Sequence, residues 1–144
     1  MKNDDVAAAA LERAGAGLLD WLRQEAERPG ATPRARLLAI WDVLEAWFLG
    51  EDFHASVLAA ALVAPVPDGR PAVAVALARH RRAVRQLLEE LATQAGVADP
   101  AGLAAQVHLL VEGAVVGALV DRQPQVARHA RELTELALAS AGAR

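Results

Sequence analysis

The sequence contains no cysteine among its 144 residues, which excludes disulfide bonds and thiolate chemistry within it. Aromatic residues make up only 3% of the chain, so that valine is its main strand-forming residue. Positive charge is not in excess, because the formal net charge is −3, and nothing electrostatic favours nucleic-acid binding. No signal peptide is visible, since the chain starts with the polar segment MKNDD. These absences favour a cytoplasmic protein with few or no strands.

Hydrophobic residues, many of them alanine, account for 54% of the chain. Alanine and leucine are both strong helix formers. The length is typical of one domain, which would bury about two-thirds of the surface that the unfolded chain exposes. We therefore predict that residues 1–144 form a single all-α domain.

Proline and glycine divide the sequence into six predicted helices. The breaks fall at Pro29-Gly30, Gly50, 65–69, Gly96 and 122–124. Asn3, Thr32 and Asp99 are the predicted N-caps, and a proline follows each of the last two, as is common in a first helical turn. The third predicted helix is short and runs from Phe53 to Ala64, and the sixth begins at Pro124.

The fifth predicted helix, residues 100–120, is apolar on nearly every side. Its polar side chains are Gln106, His108 and Glu112. A helix of this kind must be covered on nearly every side. Gly113 and Gly117 lie four residues apart on one face, where another backbone can approach closely. We predict that this helix packs against its own domain on one side and against a partner on the other.

A membrane-spanning role is the alternative for this apolar helix, because its length approaches that of a spanning helix. His108 and Glu112 lie near its middle, where a charge is costly in a bilayer. The flanking residues Asp99 and Asp121 are acidic, and no aromatic belt surrounds the segment. The sequence therefore favours a helix that does not enter a membrane.

Few residues suggest catalysis or metal binding. His108 and Glu112 are four residues apart on one helix face, but a metal site needs a third ligand that the sequence does not supply. Ser56 near His54 has no acidic partner in the local sequence, so a nucleophilic triad is poorly supported. The arginines between residues 79 and 85 fit a solvated helix face. We predict no enzymatic activity, no cofactor and no metal.

An apolar pocket is the better-supported site. Trp41, Leu44, Trp47 and Phe48 follow helical spacing on the second helix, which provides a wall of large apolar side chains. The short third helix after Phe53 has few contacts to hold it and is the natural element to move when a ligand binds. His80 and Gln106 are candidates for the few polar groups that orient a ligand, although a histidine on an apolar stripe is more often a core residue.

The order of these motifs resembles the C-terminal regulatory domain of TetR-family transcriptional regulators. The matching segments are Asn3–Ala7, Trp47-Phe48, Asp52–His54, Ala78–Arg81, Leu87-Leu88, Ala95-Gly96, Asp99-Pro100, Leu109–Ala114 and Ala127-Arg128. The chain departs from many relatives at Ala55-Ser56 and Ala60, where a Gly-Cys pair and an asparagine are common. The helix-turn-helix module of the family is absent, and the chain begins almost where that module would end.

The resemblance implies a bacterial six-helix regulatory domain that senses a small, mostly apolar effector and forms a homodimer. The residues assigned to the effector pocket are Trp41, Leu44, Trp47, Phe48, Phe53, His54, His80, Gln106 and Leu110. Dimerisation is expected through a four-helix bundle made by the last two helices of each chain. The residues assigned to that interface are Leu109, Gly113, Val116, Gly117, Val120, Leu133 and Ala137. Direct DNA binding by this chain is not expected.

Two other functions remain open at this point. A small helical enzyme or carrier could use the same cavity, and a stand-alone dimerisation module would need no cavity at all. Ligand binding without turnover favours the sensing domain, whereas a completely filled interior favours the dimerisation module.

Overall fold

The computed structural model describes residues 2–143, which form six α-helices, as the breaks predict, and within this range no strand. The helices are α1 (Lys2–Ala26), α2 (Pro33–Leu49), α3 (Val57–Val63), α4 (Pro71–Gln94), α5 (Pro100–Leu119) and α6 (Val126–Ser140). A short 3-10 helix, Phe53–Ala55, precedes α3. The predicted all-α class is confirmed.

Two of the predicted N-caps are confirmed by their hydrogen bonds. Thr32 Oγ1 accepts a hydrogen bond from the backbone N–H of Ala35 at 3.1 Å and begins α2. Asp99 Oδ1 accepts one from the backbone N–H of Gly102 at 3.0 Å and begins α5. Each bond satisfies one of the backbone donors that the start of a helix leaves unpaired.

Three predicted boundaries are wrong. Asn3 is not an N-cap, because α1 already begins at Lys2. The segment Phe53–Ala64 is not one continuous helix: Ser56 is extended and its Oγ accepts a hydrogen bond from Ala59 N–H at 3.1 Å. Ser56 therefore caps α3 and separates it from the 3-10 turn. The last helix begins at Val126, two residues beyond Pro124, after a turn.

The helices α1 and α4 lie side by side and run in the same direction. Asp4 contacts the first turn of α4, and Arg23 Nη1 lies 3.1 Å from Glu90 Oε2 near the other end. On its remaining sides α1 packs against α2 and α3, while α4 also packs against α5. The largest fully buried side chains of the shared core include Trp41, Phe53, Leu37, Leu44, Leu58 and Leu88.

One side of α5 belongs to this core and the other does not. Leu103, Val107 and Ala114 are buried against the rest of the chain, whereas Leu109 and Val116 are exposed. By length and composition alone, α5 is apolar enough to cross a membrane, with 39% of its most apolar window buried. The helix thus has an apolar face that the rest of its own chain leaves uncovered.

Asp4 of α1 supplies the cap that α4 lacks. The residue before α4, Arg70, makes no side-chain capping bond. Instead the Asp4 carboxylate, with only 4% of its surface exposed, accepts hydrogen bonds from Ala72 N–H at 2.8 Å and Val73 N–H at 3.2 Å. A negative charge is also favoured at this positive end of the helix dipole. One side chain therefore fixes the start of α1 against the start of α4.

Replacement of this carboxylate should destabilise the fold. We expect Asp4→Ala to lower the free energy of unfolding by about 1–2 kcal/mol, because two buried donors of α4 lose their acceptor. Asp5→Ala, at the exposed neighbouring position, is the matched control and should cost a few tenths of a kcal/mol. Urea unfolding followed by circular dichroism measures both, and equal losses would contradict the capping role.

Candidate functional site

An enclosed cavity lies at the centre of the helices, between α1, α2, α4 and α5. Its wall includes Leu18, Ile40, Val84, Leu88 and Val115. The cavity volume is about 30 Å³, which is room for one or two water molecules and far below the volume of a drug-sized ligand site. In this conformation the cavity is therefore closed to an effector.

Three of the residues predicted for the pocket line this cavity: Leu44, Trp47 and His80. Phe48 and Phe53 are buried directly behind them, and their ring centroids lie 5.9 Å and 4.9 Å from that of Trp47. The two phenylalanines thus support the position of Trp47 and do not form the wall themselves.

The other predicted pocket residues lie elsewhere. The indole Nε1 of Trp41 donates a 2.9 Å hydrogen bond to Thr134 Oγ1, so Trp41 faces α6. His54 is exposed beside Phe53, and Gln106 is exposed at a polar groove near the ends of α5 and α6. Leu110 packs, partly buried, against the core away from the cavity. The structure does not bring these four residues to one site.

A larger apolar groove opens on the surface between α1, α3 and α4, and the sequence prediction missed it. Its volume is about 330 Å³, within the range of small-molecule sites. The groove is lined by Ala7, Ala10, Ala60, Ala61, the turn Pro65–Pro67, Val73 and Leu77. The sequence feature that could have indicated this groove is the set of alanines in α1 and α3 near the proline-rich turn. Small side chains leave space where helices diverge.

The groove and the cavity lie end to end along the seam between α1 and α4. Leu77 lines the groove, and His80, on the next turn of α4, lines the cavity. On α1, Leu11 lines the groove and Leu18 lines the cavity. We call this continuous strip, residues 7–22 of α1 against 73–88 of α4, the α1–α4 seam.

His80 occupies the middle of the seam because Gly15 makes room for it. A Cβ atom at Gly15 would lie only 2.8 Å from His80 Nδ1. Burial lowers the pKa of His80, and the charge of Arg81 and the neighbouring His108 lower it further. The imidazole is therefore neutral near pH 7 and can donate one hydrogen bond and accept another, as a polar group in an apolar site must to orient a ligand.

The contact between Gly15 and His80 predicts opposite effects for two alanine substitutions on α1. Gly17→Ala meets no atom within 4 Å and should stabilise the protein by up to about 1 kcal/mol through helix propensity. Gly15→Ala should instead be destabilising by about 1–3 kcal/mol because it overpacks the imidazole. Combination with His80→Ala should relieve this penalty. Thermal unfolding of the variants measures the effects; equal stabilisation by both alanines would contradict the contact.

A polar network closes the side of the cavity between α3, α4 and α5. Arg81 Nε donates a 2.8 Å hydrogen bond to Glu112 Oε1, and its Nη2 lies 3.4 Å from the Leu62 carbonyl oxygen. Arg81 therefore ties the end of α3 to α5. The residues that flank this network, Leu62, His80 and Val111, also line the cavity.

His108 belongs to the same network. Its Nδ1 accepts a 3.2 Å hydrogen bond from Arg85 Nη2, which places the ring proton on Nε2, 3.7 Å from Glu112 Oε1. Burial lowers the pKa of His108; Glu112 opposes the shift, while Arg85 and Arg81 reinforce it. Within residues 2–143 no group of three or more potential ligands is arranged to hold a metal ion.

A second candidate surface is the uncovered apolar face of α5 and α6. Leu109, Val116, Val120 and Leu133 lie there with exposed fractions of 70%, 41%, 61% and 51%. Gly113 opens onto empty space, whereas a Cβ at Gly117 would lie 3.0 Å from Val126 of the same chain. Ala137 is half-buried. Leu136, 66% exposed, extends the face and was missed, although its spacing from Leu133 is helical.

The comparisons with known proteins give one match. Residues 68–141, from the turn before α4 to the end of α6, match the sequence model of a family described as the tetracycline repressor-like C-terminal domain. This segment is just over half of the chain. Searches of curated proteins and of solved structures found no match.

Proposed function

The chain belongs to the tetracycline repressor-like C-terminal domain family, and on this premise we propose that it senses an effector and dimerises as part of a cytoplasmic transcriptional regulator. The effector is a small, mostly apolar molecule. Its binding is transmitted through α1 to an attached DNA-binding domain. The domain acts by binding and not by catalysis, in keeping with a family of regulatory domains.

The α1–α4 seam is the observation that carries the sensing proposal. An apolar groove of about 330 Å³ and a cavity of about 30 Å³ both lie along this one helix pair. A ligand held in the groove touches α1 at Ala7, Ala10 and Leu11. Its binding energy therefore acts directly on the helix whose first turn is fixed to α4 by Asp4, as coupling between a ligand site and an attached domain requires.

The closed cavity can widen at α3, which has few residues to hold it. This helix has only seven residues, Val57–Val63, and lies between the groove and the cavity. Its end is tied down through the Leu62 carbonyl oxygen and Arg81. A helix of seven residues opens at a lower free-energy cost than the longer helices around it, so that a ligand in the groove can reach the cavity.

A ligand screen by thermal shift tests the proposal. The probes are saturated aliphatic acids, the matching alcohols and planar aromatic compounds. A binder at 100 times its Kd should stabilise the domain by about 2.7 kcal/mol, which raises Tm by several degrees. Ala10→Phe, which fills the groove, should abolish the shift, while Ala9→Phe, on the adjacent face, should retain it. No saturable shift with any probe would leave only the dimerisation module.

We also propose that the uncovered face of α5 and α6 is the homodimer interface. Contiguous apolar surface of this kind is rarely left exposed by a monomeric soluble protein. The face presents large side chains at Leu109, Val120 and Leu133 around the open backbone at Gly113. Two copies related by a twofold axis would cover each other's face with the same residues and form a four-helix bundle.

A charge placed on this face should dissociate the dimer. We expect Leu133→Glu to raise the dimer dissociation constant by on the order of 100-fold or more, because an unpaired buried carboxylate costs several kcal/mol. Leu49→Glu is the matched control, since Leu49 is also exposed, at 64%, but lies at the end of α2. Light scattering after size exclusion measures the mass; a monomeric parent chain, or dissociation by Leu49→Glu alone, would reject this interface.

A further inference from the structure

We propose that the groove binds an aliphatic carboxylate, with the acid group at Arg70 and the alkyl chain between α1, α3 and α4. This inference rests on the proposed sensing function and names the class of effector. Two properties of the groove support it: the kind of side chain that lines it, and the position of its charge.

Apart from Arg70, the lining of the groove is aliphatic. Among the described residues that form it are alanines, leucines, valines and two prolines, with no aromatic ring. Alanine side chains at Ala7, Ala10 and Ala61 make the channel smooth and leave no polar group along its length. Such a channel gains free energy from every methylene that it removes from water but offers a planar aromatic ligand no ring to stack on. An alkyl chain fits this lining.

Arg70 is the single charged residue among those described in the groove lining. Its side chain remains 39% exposed, and a guanidinium has five donors in a planar fork that suits a carboxylate. The contacts that it makes within the chain are long: Nη2 lies 3.5 Å from the Asn3 carbonyl oxygen, and Nε lies 3.9 Å from Asp4 Oδ1. Most of its donors are thus free to bind an anion.

Asp4 forms a long ion pair with this guanidinium, with Arg70 Nε 3.9 Å from Asp4 Oδ1. Its carboxylate already accepts shorter hydrogen bonds, at 2.8 Å and 3.2 Å, from the backbone N–H groups of Ala72 and Val73. Arg70 therefore places a partly exposed guanidinium at one end of an aliphatic channel, where a ligand anion would share it with Asp4. This combination is complementary to a molecule with one anionic end and an alkyl tail.

A homologous series of saturated carboxylates from hexanoate to dodecanoate, kept below their micelle concentrations, tests the proposal by calorimetry on the intact chain. Affinity should rise roughly fourfold per methylene until the groove is filled. Each acid should bind about tenfold more tightly than the alcohol of equal length, because the alcohol cannot form a charged pair. Equal affinity of acids and alcohols would overturn the proposal.

Substitutions at Arg70 test whether its side chain binds the carboxylate or only shapes the groove. Arg70→Gln should weaken the acids about tenfold and leave the alcohols unchanged, whereas Arg70→Lys should retain most of the acid affinity. Arg82→Gln, at an exposed position of α4 outside the groove, is the control and should change neither. Parallel losses for acids and alcohols in Arg70→Gln would mean that Arg70 only shapes the groove, and would overturn the proposal.

The remaining outcomes distinguish this proposal from the sensing function. If an aromatic compound binds and is blocked by Ala10→Phe while no carboxylate binds, the sensing function stands and the carboxylate proposal fails. If no compound of any class binds, the sensing function itself fails. Val57→Glu, at the exposed rim of the groove, should leave the oligomeric mass unchanged; a change in mass would assign the groove to a second copy of the chain and overturn the proposal.

Discussion

The parallel contact between α1 and α4 is the constraint on which the rest of the structure depends. It is fixed at one end by the Asp4 carboxylate on the first turn of α4, and at the other by the ion pair between Arg23 and Glu90. Between these ends Gly15 of α1 makes room for the ring of His80 of α4, and Arg79 Nη1 lies 3.7 Å from Glu12 Oε1. Polar contacts at both ends and an ion pair near the middle thus hold the helices in register, and the groove and the cavity lie along the same pair.

The contact between α1 and α4 also links the proposed ligand site to the position of α1. Because the groove and the cavity both lie along this helix pair, the proposed ligand in the groove would contact α1 directly. The neighbouring helix α3 is short, and Arg81 ties its end to Glu112 of α5. The domain therefore combines a long helix in fixed register with a helix of only seven residues, which is consistent with the proposed response to a ligand.

Helix α5 faces two different environments, the protein core on its inner side and solvent on its outer side. Its inner side contributes Val107 and Ala114 to the core and His108 to the polar network, while its outer side exposes Leu109 and Val116. One helix thus separates the buried core and its small cavity from the face where a second copy is proposed to pack. The sequence of α5 is apolar on nearly every side because its inner side forms part of the core and its outer side is the proposed dimer interface.

The sequence by itself determined the helices and two of their caps, because helix formation depends on residues within one or two turns. Thr32 and Asp99 with their following prolines mark helix starts whatever the tertiary context. Only the tertiary structure decided which helix each side chain meets. Trp41 and Trp47 share the buried surface of α2, yet Trp41 faces Thr134 while Trp47 faces the cavity. Likewise Asp4 caps a helix 68 residues away, and the groove arises where alanines of separate helices come together. Periodicity reports that a side chain is buried, but contacts across such distances depend on how whole helices pack.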